Sequence, residues 1–358
     1  MLEIITKYPF IVLIITFIGG WVMMPSVLAF AKKHNLVVRP NKRTSHIGNV
    51  PNIGGLNIFL SLMIIFVPML FGNMMNIYFF IGLFIMFLIG FLDDRLVLSA
   101  YYKLIGQTLC SIFLIYFANI RIFSLFGLFG IYELPLIWSY LLSYICYIFI
   151  INALNLIDGV DGLASGLGIL YSVLFGIWFY ENKMTYMAIE CFAIVGSLSV
   201  FFLYNVFGKT KYKIFMGDSG SLALGYLITT ISFVFIAENM PNINDSTCNI
   251  LLYPYAPATV IAVLFIPIFD VIRVSITRIK QKKSIFIADK NHIHHLLLKL
   301  GFSHTKVTAI ILSTSMIYTI IGILLKNQIV IIQIAILILT GCLLTLLLWH
   351  IINNKKKS

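Results

Sequence analysis

Polar side chains gather at the end of a long apolar run, in the stretch NALNLIDGVDGLASG at residues 152–166. Asn152, Asn155 and Asp158 follow one another at three-residue spacing, and on a helix of about 3.6 residues per turn they cover an arc of roughly 120°. These side chains can therefore face one cavity. The glycines behind them predict that the helix ends there and that the backbone comes close to a ligand. A polar helix cap is the alternative, although a cap needs only one such side chain.

Two adjacent carboxylates stand in a second stretch, FLDDRLVLSAYYK at residues 91–103. Asp93 and Asp94 repel each other, which is costly unless a cation or a shared proton relieves the repulsion. Lys103 follows nine residues after Asp94. The pair therefore indicates either a site for a cation and a proton, or a solvated helix end whose acids face Arg95 and Lys103.

A third stretch, KTKYKIFMGDSGSLALGY at residues 209–226, places Asp218 between glycines and small hydroxyl residues just before an apolar run. Asp218 or Ser219 could cap the helix that follows. The same arrangement suits a phosphate-bound Mg²⁺, because a hard cation takes carboxylate oxygens and a helix N-terminus favours anions. The spacing alone leaves both interpretations open.

Histidines mark a fourth stretch, ADKNHIHHLLLKLGF at residues 288–302. His292 and His295 would share a helix face, with His294 beside them. Three histidines suit zinc, but no Cys joins them. Hydrogen bonds to phosphate are the favoured interpretation, and a group of solvated loop histidines is the alternative.

The stretch RPNKRTSHIGNVPNIGG at residues 39–55 adds basic side chains before a Pro/Gly turn: Lys42, Arg43 and His46. Lys42 and Arg43 are also explained as residues that orient a membrane protein. Together with the acidic stretches, however, they supply the bases that bind phosphate groups.

The elements that hold these stretches are membrane helices. The chain has 358 residues, of which 60% are hydrophobic and only 11% charged, and its apolar runs repeatedly reach the roughly 20 residues that a helix needs to cross a bilayer. About eleven such runs predict an all-α, polytopic transmembrane helical bundle and a single integral membrane domain over residues 1–358. A barrel is excluded because its strands would alternate polar and apolar residues. The five Cys residues show no paired spacing, so no disulfide framework is predicted.

The positions of Lys and Arg predict the orientation of the bundle. With the N-terminus outside and the C-terminus cytoplasmic, all of the 25 Lys and Arg residues lie inside except Lys7, Arg121, Lys183 and Lys326. The net charge of +12 is therefore an orientation signal that also attracts anionic lipid head groups, and nucleic acid is not an expected partner.

In this topology six aspartates and four histidines fall on or beside one surface, the cytoplasmic one. The members of this group are Asp93, Asp94, Asp158, Asp161, Asp218, Asp289, His46, His292, His294 and His295. A membrane transporter is the alternative from a different class, but its acids should lie near mid-bilayer and in both halves of a repeat. No repeat is evident, so an enzyme is favoured.

Five motifs in order give the chain its resemblance to a known family: PNIGG, DDRLVLSAYYK, NALNLIDGVDGLASG, FMGDSGSLALG and NHIHH. The chain resembles the polyprenyl-phosphate sugar-1-phosphate transferases of glycosyltransferase family 4. Its HIHH form is more similar to the bacterial undecaprenyl-phosphate N-acetylglucosamine-1-phosphate transferases than to the phospho-MurNAc-pentapeptide transferases, in which consecutive histidines are usual. The latter activity is the alternative.

The resemblance implies a reaction in a bacterial inner membrane, with the active site on the cytoplasmic side. N-acetylhexosamine-1-phosphate, with GlcNAc-1-phosphate the expected group, would pass from a UDP-sugar to undecaprenyl phosphate, releasing UMP and starting a cell-surface polysaccharide. The expected cofactor is Mg²⁺, with Mn²⁺ as a substitute. Direct displacement is favoured over an aspartyl-phosphate intermediate, because holding both substrates on one metal avoids a second phosphoryl transfer. The oligomeric state is open, and a homodimer is one alternative.

The resemblance also implies roles for individual residues. Those expected to act on the phosphates or the acceptor are Asp93, Asp94, Lys103, His294 and His295. Those expected to bind substrate are Lys42, Arg43, His46, Asn152, Asn155, Asp158, Phe215 and His292, with Phe215 stacking on uracil. Those expected to hold the metal are Asp218 and, as a second contributor, Asp161.

One other family of membrane phosphotransferases begins its signature in the same way. Asp158, Asp161 and Gly162 match the opening of the CDP-alcohol phosphatidyltransferase motif. That motif continues with Ala-Arg and two further spaced Asp, whereas Ser165 and Gly166 follow here and the next helix has no Asp. This family is therefore excluded.

Overall fold

The computed structural model describes residues 2–38, 50–72, 75–209, 212–240, 253–284 and 291–357. Within these ranges the chain is almost entirely helical. The helices are α1 Leu2–Lys7, α2 Ile11–Lys33, α3 Gly54–Phe71, α4 Ile77–Leu96, α5 Ala100–Ser111, α6 Leu136–Leu156, α7 Leu163–Glu181, α8 Thr185–Val206, α9 Gly217–Glu238, α10 Ala256–Val263, α11 Phe265–Lys280, α12 Ile293–Lys299, α13 His304–Leu324 and α14 Val330–Lys357. A π-helical segment, Ile112–Phe117, continues α5.

The prediction of an all-α, polytopic membrane protein is confirmed. In the described part of the chain, ten helices are long and apolar enough to cross a membrane, counting α5 with its π-helical continuation as one, and the number is eleven if the pair α10 and α11 is one broken span. This pair bends by 79° at Leu264, and Pro267 lies in the first turn of α11, where its missing N–H costs no helix hydrogen bond. The N-terminus-outside orientation stays a prediction from the positions of Lys and Arg.

Helix α9 is the centre of the bundle, because 17 of its 22 residues are buried. Its first turn is approached closely by α3 and α4 at two glycines. A Cβ added at Gly55 would lie 2.2 Å from the backbone nitrogen of Gly220, and one added at Gly90 would lie 2.3 Å from the carbonyl oxygen of Asp218. Only glycine allows such backbone contact between helices. The start of α9 is therefore held in place by two neighbouring helices.

A short hairpin and the segment before α9 complete this frame. β1, Val37–Val38, pairs antiparallel with β2, Val50–Pro51. Phe215 N–H donates to the carbonyl of Pro51 at 2.8 Å, and Gly54 N–H donates to the carbonyl of Phe215 at 2.8 Å. The PNIGG and FMGD motifs, far apart in the sequence, are thus joined by backbone hydrogen bonds.

Candidate active site

The candidate site lies where helix ends meet on one face of the bundle. Asp93 and Asp94 lie in the last turn of α4, and Asn155 lies in the last turn of α6. Lys103 lies in the first turn of α5, and Asp218 in the first turn of α9. Charged side chains can reach water or a ligand at helix ends without crossing the apolar interior. The stretches at residues 91–103, 152–166 and 209–226 therefore come together, as predicted from their common side of the membrane.

Lys103 lies between two carboxylates. Its Nζ is 2.5 Å from Asp93 Oδ2 and 2.6 Å from Asp218 Oδ2. The Asp93 side chain is only 8% exposed, whereas that of Asp218 is 30% exposed and so is open to a ligand. Asn155 Nδ2 donates to Asp218 Oδ1 at 3.0 Å and to Ser221 Oγ at 2.7 Å. Asp218 is thus fixed on one oxygen by an amide and on the other by an ammonium.

Asp94 caps the start of α9. Its Oδ1 accepts from Asp218 N–H at 2.7 Å and from Asn52 Nδ2 at 3.1 Å, and its Oδ2 accepts from Ser219 N–H at 3.0 Å. A carboxylate at a helix N-terminus satisfies free N–H groups and interacts favourably with the helix dipole. The alternative in which Asp218 or Ser219 caps α9 is therefore wrong, because Asp94 comes from another helix to do so. Contact of Asp94 with substrate stays a prediction.

Asp93 also holds the turn that carries Lys103. Its Oδ1 accepts from Leu98 N–H at 2.6 Å. Val97, between them, has a φ of 53°, which is an unfavourable conformation for a β-branched residue. The strained turn between α4 and α5 thus brings the ammonium of Lys103 back toward the carboxylate of Asp93.

Asn152 lies one turn deeper and contacts another helix. It exchanges amide hydrogen bonds with Gln107 at 3.0 and 3.3 Å, and its Nδ2 donates to the carbonyl of Ile148 at 2.7 Å. Gln107 is buried and was missed by the sequence analysis. These bonds link α5 to α6 below Lys103 and Asn155. The contact of Asn152 with a nucleotide stays a prediction.

The loop between α6 and α7 carries Asp158. Helix α6 ends at Leu156, where this loop begins, so the predicted helix end is confirmed. Burial raises the pKa of Asp158 to about 7, and repulsion from Asp218, Asp94 and Asp161 adds to the shift. Four carboxyl groups therefore lie close enough to affect one another. Negative charge is thus concentrated near the start of α9.

Asp161 has cationic partners of its own. Its Oδ2 is 2.6 Å from Lys213 Nζ and 3.3 Å from His304 Nδ1. Burial alone would raise the pKa of Asp161, but the bonds from His304 and Lys213 outweigh it and lower that pKa below its usual value. In the part of the chain that the structure describes, no group of three or more His, Cys, Asp or Glu side chains is arranged to hold a metal. The role of Asp161 as second metal ligand stays a prediction.

Phe215 lies beside this ion pair, with its backbone held by the hairpin. Its ring centroid is 5.8 Å from Lys213 Nζ. An aromatic ring next to a cation and an acid can pack against a planar base, and stacking on uracil stays a prediction. Three other expected residues, Lys42, Arg43 and His46, lie outside the described residues, as does Asp289.

The histidine stretch is anchored by an acid that the sequence analysis missed. His292 Nδ1 is 2.9 Å from Asp270 Oδ2, and Ile293 N–H donates to both oxygens of Asp270 at 3.1 Å. Arg273 Nη2 donates to Asp270 Oδ1 at 2.7 Å and to the carbonyl of Asn291. The start of α12 is thereby tied to α11. The signal in the sequence was the lone acid of FDVIR in an otherwise apolar run.

His294 connects this stretch to the loop of Asp158. It is 1% exposed, its Nδ1 has no hydrogen-bond partner in the described structure, and its Nε2 lies where a Cβ on Gly159 would come within 2.6 Å. Burial lowers the pKa of His294 to about 3, helped by repulsion from His295, whose ring centroid is 4.2 Å away. His294 is therefore a neutral imidazole at physiological pH, and its Nδ1 is buried without a hydrogen-bond partner in the described structure.

Comparison with known proteins finds the same family as the motifs. The model of glycosyl transferase family 4 matches residues 76–236, from the start of α4 to the end of α9. The matched region contains the DDRLVLSAYYK, NALNLIDGVDGLASG and FMGDSGSLALG motifs, while PNIGG and NHIHH flank it. The resemblance stated from the sequence is thus confirmed.

The chain is also similar to several transferases along most of its length. It is 29% identical over 298 residues to the undecaprenyl-phosphate alpha-N-acetylglucosaminyl 1-phosphate transferase of Escherichia coli O157:H7, covering 82% of this chain and 77% of the relative. The proteins of the same name from Yersinia pestis and Haemophilus influenzae are 28% and 29% identical, covering 82% and 87% of this chain and 78% and 85% of the relatives.

Proposed function

Residues 76–236 of this chain carry the glycosyl transferase family 4 pattern, and from that premise we propose that the protein transfers N-acetylhexosamine-1-phosphate from a UDP-sugar to undecaprenyl phosphate and releases UMP. GlcNAc-1-phosphate is the proposed group, because the relatives are named for alpha-N-acetylglucosaminyl 1-phosphate transfer. The product would be the lipid-linked diphosphate sugar that starts a cell-surface polysaccharide. The site would face the cytoplasm from a bacterial inner membrane.

The observation that carries the proposal is the Asp93–Lys103–Asp218 arrangement at the helix ends. Transfer of a phosphoryl group brings two anionic phosphates together, so the protein must neutralise charge and position both reactants. Lys103 supplies a positive charge, and Asp93 and Asp218 supply carboxylates. A site at the ends of membrane helices would lie within reach of a lipid acceptor. A transporter would instead carry such acids near mid-bilayer.

The donor atoms around Asp218 suit Mg²⁺. Mg²⁺ prefers oxygen ligands and is commonly bound by one or two carboxylates together with substrate phosphates. Asp218 and Asp93 provide such carboxylates within reach of one ammonium, and the Asn155 and Ser221 side chains add neutral oxygens. A bound Mg²⁺, or Mn²⁺ in its place, would neutralise negative charge on the phosphates.

The chain's own residues would perform the remaining tasks. Asp218 would bind the metal, and Asp94 would keep the first turn of α9, and hence Asp218, in position. Asp93 would hold the metal together with Asp218 and so help to orient the acceptor phosphate, and Lys103 would bind a phosphate oxygen. His294, as a neutral imidazole, would donate one hydrogen bond to phosphate without adding charge. Direct displacement remains the proposed course, with both substrates held together and no phosphorylated enzyme.

A donor screen tests this function. Purified full-length protein in detergent would be given undecaprenyl phosphate, Mg²⁺ and, separately, UDP-GlcNAc, UDP-GalNAc, a UDP-diaminosugar or UDP-MurNAc-pentapeptide, and UMP and the lipid product would be measured. We expect UMP release with UDP-GlcNAc that depends on the lipid. Release with the pentapeptide donor alone would favour the alternative transferase, and no release with any donor would refute the enzymatic assignment.

A further inference from the structure

We propose that Lys103 is a tethered cation that competes with a divalent metal ion for Asp93 and Asp218, so that the ammonium and the metal bind these carboxylates in turn. The inference deepens the proposed function and rests on it, because that function places a divalent ion at Asp218. It concerns which cation neutralises the carboxylates of Asp93 and Asp218. It also assigns Lys103 a second position, in which its charge is available to a phosphate.

The first argument is the position of the ammonium. Lys103 Nζ lies 2.5 Å from one carboxylate and 2.6 Å from the other, and both contacts use the Oδ2 atom. A divalent ion held by Asp93 and Asp218 would need the same carboxylate oxygens that Lys103 contacts, because Mg²⁺ takes oxygen ligands. The metal and the ammonium would then overlap in space and repel each other electrostatically. Only one of the two cations can occupy this place at a time.

The second argument is that each carboxylate has one fixed oxygen and one exchangeable oxygen. Asp93 Oδ1 accepts from Leu98 N–H at 2.6 Å, and Asp218 Oδ1 accepts from Asn155 Nδ2 at 3.0 Å. These neutral donors would stay in place when Lys103 leaves. The Oδ2 atoms of both acids are contacted by the ammonium and would pass to the metal. The hydrogen bonds to the Oδ1 atoms would thus keep both carboxylates in place while the cation at the Oδ2 atoms changes.

The third argument is the freedom of the lysine. Lys103 lies in the first turn of α5 and its side chain is 25% exposed, and a lysine carries its charge on a flexible four-carbon stem. Its head group can therefore turn out of the carboxylate pair without a change in the helix. Released at the mouth of the site, it would meet the phosphates that arrive with the metal. Metal binding and phosphate binding would then favour each other.

Metal affinity tests the competition directly. Mn²⁺ binding would be measured by electron paramagnetic resonance on full-length protein in detergent, for the wild type, Lys103→Met and Lys283→Met. Lys283 is the control for loss of one positive charge, because it is exposed and its ammonium donates to the Gln281 side chain at 3.0 Å instead of to an acid. We expect Lys103→Met to bind Mn²⁺ about tenfold tighter, because the charge-assisted contacts that compete with the metal are gone, and Lys283→Met to stay within about twofold of the wild type.

Three results would overturn the inference. Equal or weaker Mn²⁺ binding by Lys103→Met would show that the ammonium does not occupy the metal position. An equal gain in both variants would reduce the effect to a general change in charge. Absence of Mn²⁺ binding in all three proteins, while UMP is still released in the donor screen, would remove the metal site and leave the transferase activity standing.

A second measurement uses the wild type alone and so does not depend on how a variant folds. The rate of amine labelling at Lys103 would be followed by mass spectrometry with Mg²⁺ and with K⁺ at equal ionic strength. We expect Mg²⁺ to raise labelling at Lys103 several-fold, because an amine released from two carboxylates is more accessible and loses its proton more readily, and to leave the labelling of Lys283 unchanged. Labelling of Lys103 that Mg²⁺ does not alter would contradict the competition.

Discussion

Replacing Gly159 with alanine should move His294 and impair the reaction more than the fold. The added Cβ would lie 2.6 Å from His294 Nε2, whereas comfortable contacts between heavy atoms begin at about 3.5 Å, so the ring must retreat by roughly 1 Å. A displacement of about 1 Å in a positioning group can cost 100-fold in rate. We therefore expect kcat to fall about tenfold to 100-fold, with a loss of stability of about 1 kcal/mol from overpacking.

The assay would follow UMP release and thermal unfolding of the same detergent preparation. Gly166→Ala is the matched control, because its Cβ would be 2.9 Å from the flexible end of Leu312 on the neighbouring helix. It should lose a similar amount of stability while keeping its kcat. In a His294→Gln background, Gly159→Ala should have little further effect, since the two changes act on one contact. A kcat that Gly159→Ala leaves at the wild-type value would refute the proposed role of His294.

Three further predictions follow from other contacts of the site. Asp94→Ala should lower the stability of α9 by about 1–3 kcal/mol, because two backbone N–H groups lose their acceptor; an unfolding midpoint equal to that of the wild type would contradict the capping. Asp270→Ala should increase hydrogen exchange over residues 291–299 measured by mass spectrometry, since the start of α12 loses its anchor, and unchanged exchange would argue against it. Asp158 has a pKa raised to about 7, so its folded state binds the proton more tightly than the unfolded state. The stability of the wild type should therefore fall relative to Asp158→Asn as pH rises from about 4 to 8, by thermal unfolding, and a constant difference would contradict the raised pKa.

The fold could be predicted from the sequence because a membrane leaves few choices. Long apolar runs must be helices in lipid, and α3, α7 and α9 are three such runs in the structure. The end of α6 in the NLIDGVDG stretch was also predictable from the glycines. The bend between α10 and α11 was not, because Pro267 lies in a first turn that the sequence does not mark as an end.

The partners within the site could not be read from spacing. The sequence brings Asp93, Lys103 and Asp218 to one surface but does not say that the lysine lies between the acids. It also does not show that Asp94 caps α9, because that bond joins helices more than a hundred residues apart. Asp270 was passed over since a single acid in an apolar run is as easily a structural pair as a functional one. These contacts depend on how the helices pack against one another, and the periodicity of a sequence does not reveal that packing.

The central claim is that the carboxylate at the start of α9 serves phosphoryl transfer. The most direct test compares UMP release from UDP-GlcNAc and undecaprenyl phosphate by Asp218→Asn and by Glu238→Gln, which changes an exposed acid at the other end of the same helix. We expect Asp218→Asn to lose at least about 100-fold in kcat while remaining folded, and Glu238→Gln to keep wild-type activity. Near wild-type turnover by Asp218→Asn would contradict the account.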